Sequence, residues 1–149
     1  MIVAKVRRSL KPVKQDLALV LRTAGIQPSA QRVAIAGYVL ATDEHPSADQ
    51  VWTRVKQAFP MVSRATVYNT LHTLVEKGLL RQHVLAEGRV VFDPFVEPHH
   101  HFIDQDTGRI HDVPWDAIKV SKVDALDGFD VDEYQVVLRG RRRGSKRRA

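Results

Sequence analysis

Apolar positions recur at helical spacing through the first half of the chain. Val13, Leu17, Val20 and Leu21 share one face, and Gly25 follows as a stop. Ser29 reads as the cap of a second helix running to about Ala41. Ser47, with Gln50 three residues on, has the form of a capping box and opens a third helix, which Pro60 ends. Ser63 caps a fourth, with Val67, Leu71, Leu74 and Val75 on one face and Gly78 behind it. Two short strands follow, Leu80–Leu85 and Arg89–Phe92, joined through Ala86, Glu87 and Gly88.

Helices, a helix pair and then a small hairpin is the order of a winged helix-turn-helix. Ser47–Phe59 and Ser63–Lys77 form the pair, joined by a short turn. The fourth helix is then the recognition helix. It offers Arg64, Thr66, Tyr68, Asn69 and Thr70, side chains suited to phosphates, base edges or a thymine methyl. A helical bundle whose polar face is simply solvated fits the same pattern. Beyond Phe92 the texture changes. Residues 93–98 contain Pro94 and Pro98 and read as a hinge. A strand at His99–Asp104, a turn at Asp106-Thr107-Gly108 and a strand at Arg109–Val113 come next. A weak helix over Trp115–Ala125 and a last strand over Tyr134–Leu138 complete the unit.

The predicted class is therefore α+β: an N-terminal winged helix-turn-helix DNA-binding domain (1–92) followed by a small α/β domain (99–140) for metal binding and dimerisation. The second domain, about 50 residues, is too small to bury a stable core alone, so pairing with a copy of itself or stapling by metal is expected. Residues 141–149 read as a basic, disordered arm that adds salt-sensitive DNA affinity or only solubility.

Composition narrows the chemistry. The 149 residues contain no cysteine, which excludes disulfides, thiolate zinc sites and cysteine redox chemistry. No run approaches the roughly 18 apolar residues of a membrane span, and Met1–Leu10 lacks the features of a signal peptide. A cytoplasmic protein without a membrane partner is expected. Charge is segregated. Residues 1–88 carry 12 basic and 6 acidic side chains, residues 89–138 carry 4 and 11, and residues 139–149 carry 7 and 0. A basic half suits a polyphosphate partner. An acidic half rich in histidine suits a cation.

His99 and His101 stand two apart, so in a strand both imidazoles face one side. A hairpin could bring Asp112 across to them, and Asp93 lies just upstream. Mixed imidazole and carboxylate donors suit Fe(II), Mn(II) or Zn(II). His-x-His alone is a weak signal; three consecutive histidines beside an acidic hairpin strengthen it.

Together these segments resemble the ferric uptake regulator family. Ser63-Arg64-Ala65-Thr66-Val67-Tyr68-Asn69-Thr70-Leu71, followed by Glu76-Lys77-Gly78-Leu79-Leu80, is similar to its recognition-helix signature. Arg22-Thr23-Ala24-Gly25 through Gln31-Arg32 resembles its opening helix, and His45-Pro46-Ser47-Ala48-Asp49 a loop carrying a ligand histidine. Phe92-Asp93, His99-x-His101 and Asp112 recur at the regulatory-site spacing. The resemblance spans about residues 17–140 and implies a homodimeric, metal-dependent transcription regulator, in most cases a repressor, that binds double-stranded DNA at AT-rich palindromes. It implies a regulatory Fe(II) or Mn(II) site, filled by Zn(II) in some purified members, made of His45, Asp93, His99, His101 and Asp112. It implies DNA contacts by Arg32, Arg64, Thr66, Tyr68 and Asn69.

Asp112, where general iron regulators tend to have Glu, and Asn69, where they usually have Arg, resemble the peroxide-sensing PerR-like branch. There a ligand histidine is oxidised and DNA released, which makes His45 and His99 the implied targets. The triplet His99-His100-His101 also resembles the Irr-type iron- and haem-responsive branch, which makes His100 a candidate second metal or haem ligand or, as the plainer reading, an exposed or structural residue. A general iron or manganese uptake regulator is the remaining alternative. The chain departs from many members in lacking a structural zinc held by four cysteines: Asp104 and Thr107 occupy the first pair of positions, and Arg141–Arg143 the region of the second. Dimer stability is then expected from packing, with the Tyr134–Leu138 strand joining the partner's sheet. Asp104, Asp106 and His111 are left unassigned, and His72 and His83 read as incidental. Two other classes, a non-haem metalloenzyme and a metal-independent winged-helix module, are each open to test. The ligand set, split between two domains, and the winged-helix half argue against an enzyme.

Overall fold

A computed structural model describes residues 16–85 and 88–144. Val13, the Ala86-Glu87 part of the predicted turn and residues 145–149 of the predicted arm lie outside them. The chain divides into two compact units between Val96 and Glu97. Residues 93–96, expected in a hinge, therefore belong to the first unit. No described helix is long and apolar enough to cross a membrane.

The first unit runs α1 (Leu17–Thr23), α2 (Ala30–Val39), α3 (Ala48–Val55), α4 (Arg64–Glu76), β1 (Arg81–Val84) and β2 (Val90–Asp93). Its helices begin where side chains satisfy the orphan amides of a first turn. Asp16 accepts from Leu19 N–H, Ser29 from Arg32 N–H and Ser63 from Thr66 N–H. Ser47 and Gln50 close a full capping box, each side chain accepting from the other's backbone N–H, at 3.2 and 2.9 Å. α4 ends at Glu76, and Gly78, with a φ of 75°, closes a Schellman turn behind it: Gly78 N–H donates to Val75 O and Leu79 N–H to Leu74 O. α3 stops at Val55, before the expected Phe59. The chain then tightens into turns as Ala58 and Phe59 N–H both reach the Val55 carbonyl. Leu21 of the first apolar stripe and Val67, Leu71 and Leu74 of the last are fully buried in one core with Ile35 and Val51, while Leu17, Val20 and Val75 are half-buried. β1 and β2 pair antiparallel, with Arg81 opposite Asp93 and His83 opposite Val91.

The second unit is a three-stranded sheet in the order β4-β3-β5, with β3 (His100–Asp104) antiparallel to β4 (Ile110–Val113) and parallel to β5 (Val137–Gly140). Two expectations change here. The helix over Trp115–Ala125 is absent; single 3-10 turns stand at Trp115–Ala117 and Val123–Ala125. Pro114 precedes the first, and Lys122, at φ 64°, breaks the chain before the second. No apolar stripe long enough to bury a helix spans them. The last strand starts three residues later than expected and pairs with β3 of its own chain. His101 N–H donates to Val136 O at 3.1 Å, and Val136 N–H donates to His100 Nδ1 at 3.0 Å, which seats the strand there.

The β3–β4 turn is held by its own side chains. Asp104 accepts from Asp106 N–H at 2.9 Å, a bond that holds its carboxyl below the usual carboxylate range. Where the resemblance would place a zinc clamp, Gln105 N–H donates to Gly140 O at 2.8 Å and Arg141 Nε meets Asp106 Oδ1 at 2.9 Å. The ion pair is solvent-exposed, so it contributes at most about 1 kcal/mol.

Candidate metal centre and nucleic-acid interface

In the second unit, strand register brings three donors together. His101 lies directly opposite Asp112, and His99 is two residues before His101 on the same face. His99 Nε2 is 3.4 Å and His101 Nε2 3.8 Å from Asp112 Oδ1. Donors bonded to one ion at about 2.0–2.2 Å lie no more than about 4.4 Å apart, so both separations fit a shared cation. The tautomers fit as well. His99 Nδ1 is 2.7 Å from the Glu97 carbonyl, which only accepts, so Nδ1 donates there and Nε2 is the nitrogen turned to Asp112. His101 Nδ1 faces Gln135 Oε1 at 2.9 Å, and its Nε2 likewise turns to Asp112. Both rings are buried, while Asp112 keeps about a quarter of its side chain in solvent. Outer partners of this kind commit one ring nitrogen so that the other serves a metal.

In the first unit, His45 and Asp93 form a second pair. His45 sits at φ 53°, a left-handed conformation that costs a non-glycine residue of order 1–3 kcal/mol, here just before a proline. Pro46 O accepts from Phe92 N–H at 2.9 Å, which lashes the His45 loop beside β2. His45 Nε2 then lies 3.2 Å from Asp93 Oδ2. Asp93 Oδ1 accepts from Phe95 N–H at 2.9 Å. His83 Nε2 approaches the same Oδ2 at 3.5 Å. All three side chains are buried. Each of His45, Asp93, His99, His101 and Asp112 offers one atom that could ligate an ion.

His83 and Gln135 were missed. The first had a signal: in the alternation of β1, His83 falls on the face of buried Leu85, so it points inward. Gln135 had none, because 34 residues separate it from His101. His100 takes the structural form of its plainer reading. It is fully buried, its Nδ1 accepts from Val136 N–H, and its Nε2 lies 3.3 Å from the Trp115 carbonyl, which accepts. Its ring stacks on Trp115 at 4.6 Å. Both nitrogens are committed, which leaves His100 no donor for a metal or haem iron. His72 is exposed, as expected.

The DNA candidates divide. Arg64, Tyr68 and Asn69 are exposed on α4. Arg64 stacks on the Trp52 ring at 4.5 Å and lies 3.7 Å from Asp49 Oδ1; Tyr68 Oη is 3.5 Å from the same oxygen. Lys56 lies 4.0 Å from the Trp52 ring, so two cations share one aromatic platform. Thr66 is half-buried with its hydroxyl 2.9 Å from the Ser63 cap, and Thr70 is buried with its hydroxyl on Thr66 O. Arg32 donates to the Gln27 carbonyl at 2.8 Å, bracing the α1–α2 loop. Thr70 is thus buried and Thr66 and Arg32 half-buried, whereas Arg64, Tyr68 and Asn69 are exposed, Arg64 and Tyr68 beside Asp49.

Comparisons with known proteins agree with this architecture. The model of the ferric uptake regulator family matches residues 23–139. A peroxide-responsive repressor, PerR, of Staphylococcus aureus is 29% identical over 122 residues, covering 80% of this chain and 82% of its own. Among solved structures, the ferric uptake regulator of Vibrio cholerae superposes with a TM-score of 0.67 at 23% identity, covering 85% of this chain and 99% of its own. The ferric uptake regulator of Pseudomonas aeruginosa with manganese gives 0.63 at 26%, covering 87% and 99%. The chain belongs to the ferric uptake regulator family, whose members are metal-responsive transcription regulators.

Proposed function

We propose that this protein is a metal-gated, homodimeric DNA-binding repressor that senses peroxide through an Fe(II) or Mn(II) site. The observation that carries the reading is the second unit's donor set: two buried histidines, each with an oxygen at Nδ1 and with Nε2 facing one shared carboxylate. The nitrogen and hard-oxygen mixture suits Fe(II), Mn(II) and Zn(II).

The regulatory centre draws on His99, His101 and Asp112 together with His45 and Asp93, the five residues the family resemblance implies. Metal binding at these residues is coupled to DNA binding through the spacing of two recognition helices against two half-sites, which the family resemblance implies are AT-rich and palindromic. Arg64, Tyr68 and Asn69 face the DNA, with Arg64 held ready by Trp52. The second unit exposes Leu126, Phe129, Tyr134 and Leu138, apolar area that a second copy would cover.

Peroxide sensing is supported by Asp112 in the carboxylate position and by the peroxide-responsive relative. Fe(II), when bound, would activate peroxide, whose two oxidising equivalents would leave one oxygen on a ligand ring and the other as water. His45 and His99 are the target rings that the family resemblance implies. A manganese or iron uptake role is the second reading, favoured by the Pseudomonas aeruginosa regulator with manganese.

The test is anaerobic operator binding by the Fe(II) and Mn(II) forms before and after a brief peroxide pulse, with mass spectrometry of the peptides carrying His45 and His99. Release from DNA in the iron form only, with an added oxygen on either histidine, is expected; the Asp112→Glu variant should lose that sensitivity yet still bind metal. Binding by the iron form that survives the pulse would exclude peroxide as the signal.

A further inference from the structure

Three contacts join the ligand strand β3 to the segment entering β5. Gln135 Oε1 is 2.9 Å from His101 Nδ1. Val136 O accepts from His101 N–H at 3.1 Å. Val136 N–H donates to His100 Nδ1 at 3.0 Å. The four residues of β5 that follow pair in parallel with β3, from Val137 opposite His101 to Gly140 opposite Asp104. A short parallel strand at a sheet edge is weakly held by its ladder alone. Its anchorage here is concentrated at the residue whose other ring nitrogen faces Asp112.

We propose that Gln135 is a positioning residue of the metal centre: its amide oxygen holds His101 as the Nδ1–H tautomer, so that ligation at Nε2 and the seating of β5 on β3 reinforce each other. The proposal rests on the metal-site reading above and adds a residue and a consequence to it. The imidazole cannot ligate through Nε2 while that nitrogen carries a proton. An acceptor at Nδ1 removes that form, orients the ring and makes Nε2 more basic. By reciprocity, an ion that fixes the His101 ring also favours the Gln135 contact and the strand attached to it. An acceptor is the property that matters, so Glu serves at this position and an apolar isostere does not.

The test uses Co(II) as the probe, titrated into full-length wild-type, Gln135→Met and Gln135→Glu proteins, with amide exchange of the peptide covering 136–140 read with and without Co(II). Met conserves volume, so packing is little disturbed. The expected result for Gln135→Met is Co(II) binding weaker by about 10–100-fold, the usual cost of an outer-shell partner, and little added protection of 136–140 at saturating Co(II). Gln135→Glu should bind at least as tightly as wild type and keep the protection. Equal affinity in Gln135→Met and wild type overturns the proposal while leaving the metal centre standing. A tenfold or greater loss in Gln135→Glu also overturns it, and that reading holds even if Gln135→Met does not fold. A wild-type protein that binds no Co(II) removes the metal centre itself, and this proposal with it.

Discussion

The His99→Ala, His101→Ala double variant is expected to lose metal-dependent operator binding altogether. Both Nε2 atoms face Asp112 Oδ1, so the substitution removes two of the three donors in that unit and leaves a lone, partly exposed carboxylate. Loss of a ligand exceeds loss of an outer partner, which itself costs about 10–100-fold in affinity. The variant also loses buried volume, because neither ring is exposed and the two pack edge-to-face at 4.6 Å. A destabilisation of about 1–3 kcal/mol accompanies it, within the ordinary range for core substitutions. The first unit has its own core and should retain its far-ultraviolet signature. Metal titration and operator titration on the same preparation check the result. Undiminished metal-dependent binding would place the regulatory site elsewhere.

Asp93→Ala carries the second large effect, and it combines stability with binding. The carboxylate accepts from Phe95 N–H through Oδ1, while Oδ2 faces the buried imidazoles of His45 and His83. A buried donor that loses its acceptor costs about 1–3 kcal/mol. Alanine takes that acceptor from several groups at once. A melting temperature lower by about 4 °C or more in the absence of metal is expected, since a domain of this size shifts by about 4–8 °C per kcal/mol. Metal affinity falls in addition. Asp93→Asn keeps an oxygen for Phe95 N–H, so its metal-free melting should lie between the two. An unchanged melting temperature in Asp93→Ala would mean that the Asp93 contacts do not hold the His45 loop in solution.

Much of the fold was legible because local chemistry and global packing agree in the first unit. Ser29, Ser47 and Ser63 each occupy a cap the sequence advertises, and the apolar faces of α2, α3 and α4 all turn into one core. The second unit was harder. β5 is placed by contacts to residues more than 30 positions away, through Gln135 and Val136, and no periodicity encodes those. The helix expected over Trp115–Ala125 rested on a few apolar residues without a stripe, which is too little to fix one.

The site was legible in part for the same reason. His99, His101 and Asp112 announce themselves through strand spacing and hairpin register. His45 and Asp93 entered through family resemblance. Nothing in the spacing marked the left-handed turn at His45 or the lashing of Pro46 to Phe92. His83 was set aside as incidental although its alternation with Leu85 turns it inward. His100 invites a metal reading because it stands between two candidate ligands, yet its ring is consumed by Val136 and Trp115. A histidine's neighbours in sequence say little about the partners of its two nitrogens.

On the proposed function, a cation at the histidine–aspartate centre controls DNA affinity. The most direct measurement is fluorescence anisotropy of wild-type protein with a duplex recovered from a random pool by the Mn(II)-loaded form, titrated in Mn(II) and again after chelation at the same ionic strength. The affinity is expected to be at least about 5-fold higher with Mn(II), the lower end of the coupling between linked sites, and to be regained when Mn(II) is restored. Equal affinity in Mn(II) and in chelator would contradict it, and would leave a winged-helix protein whose DNA binding is independent of metal.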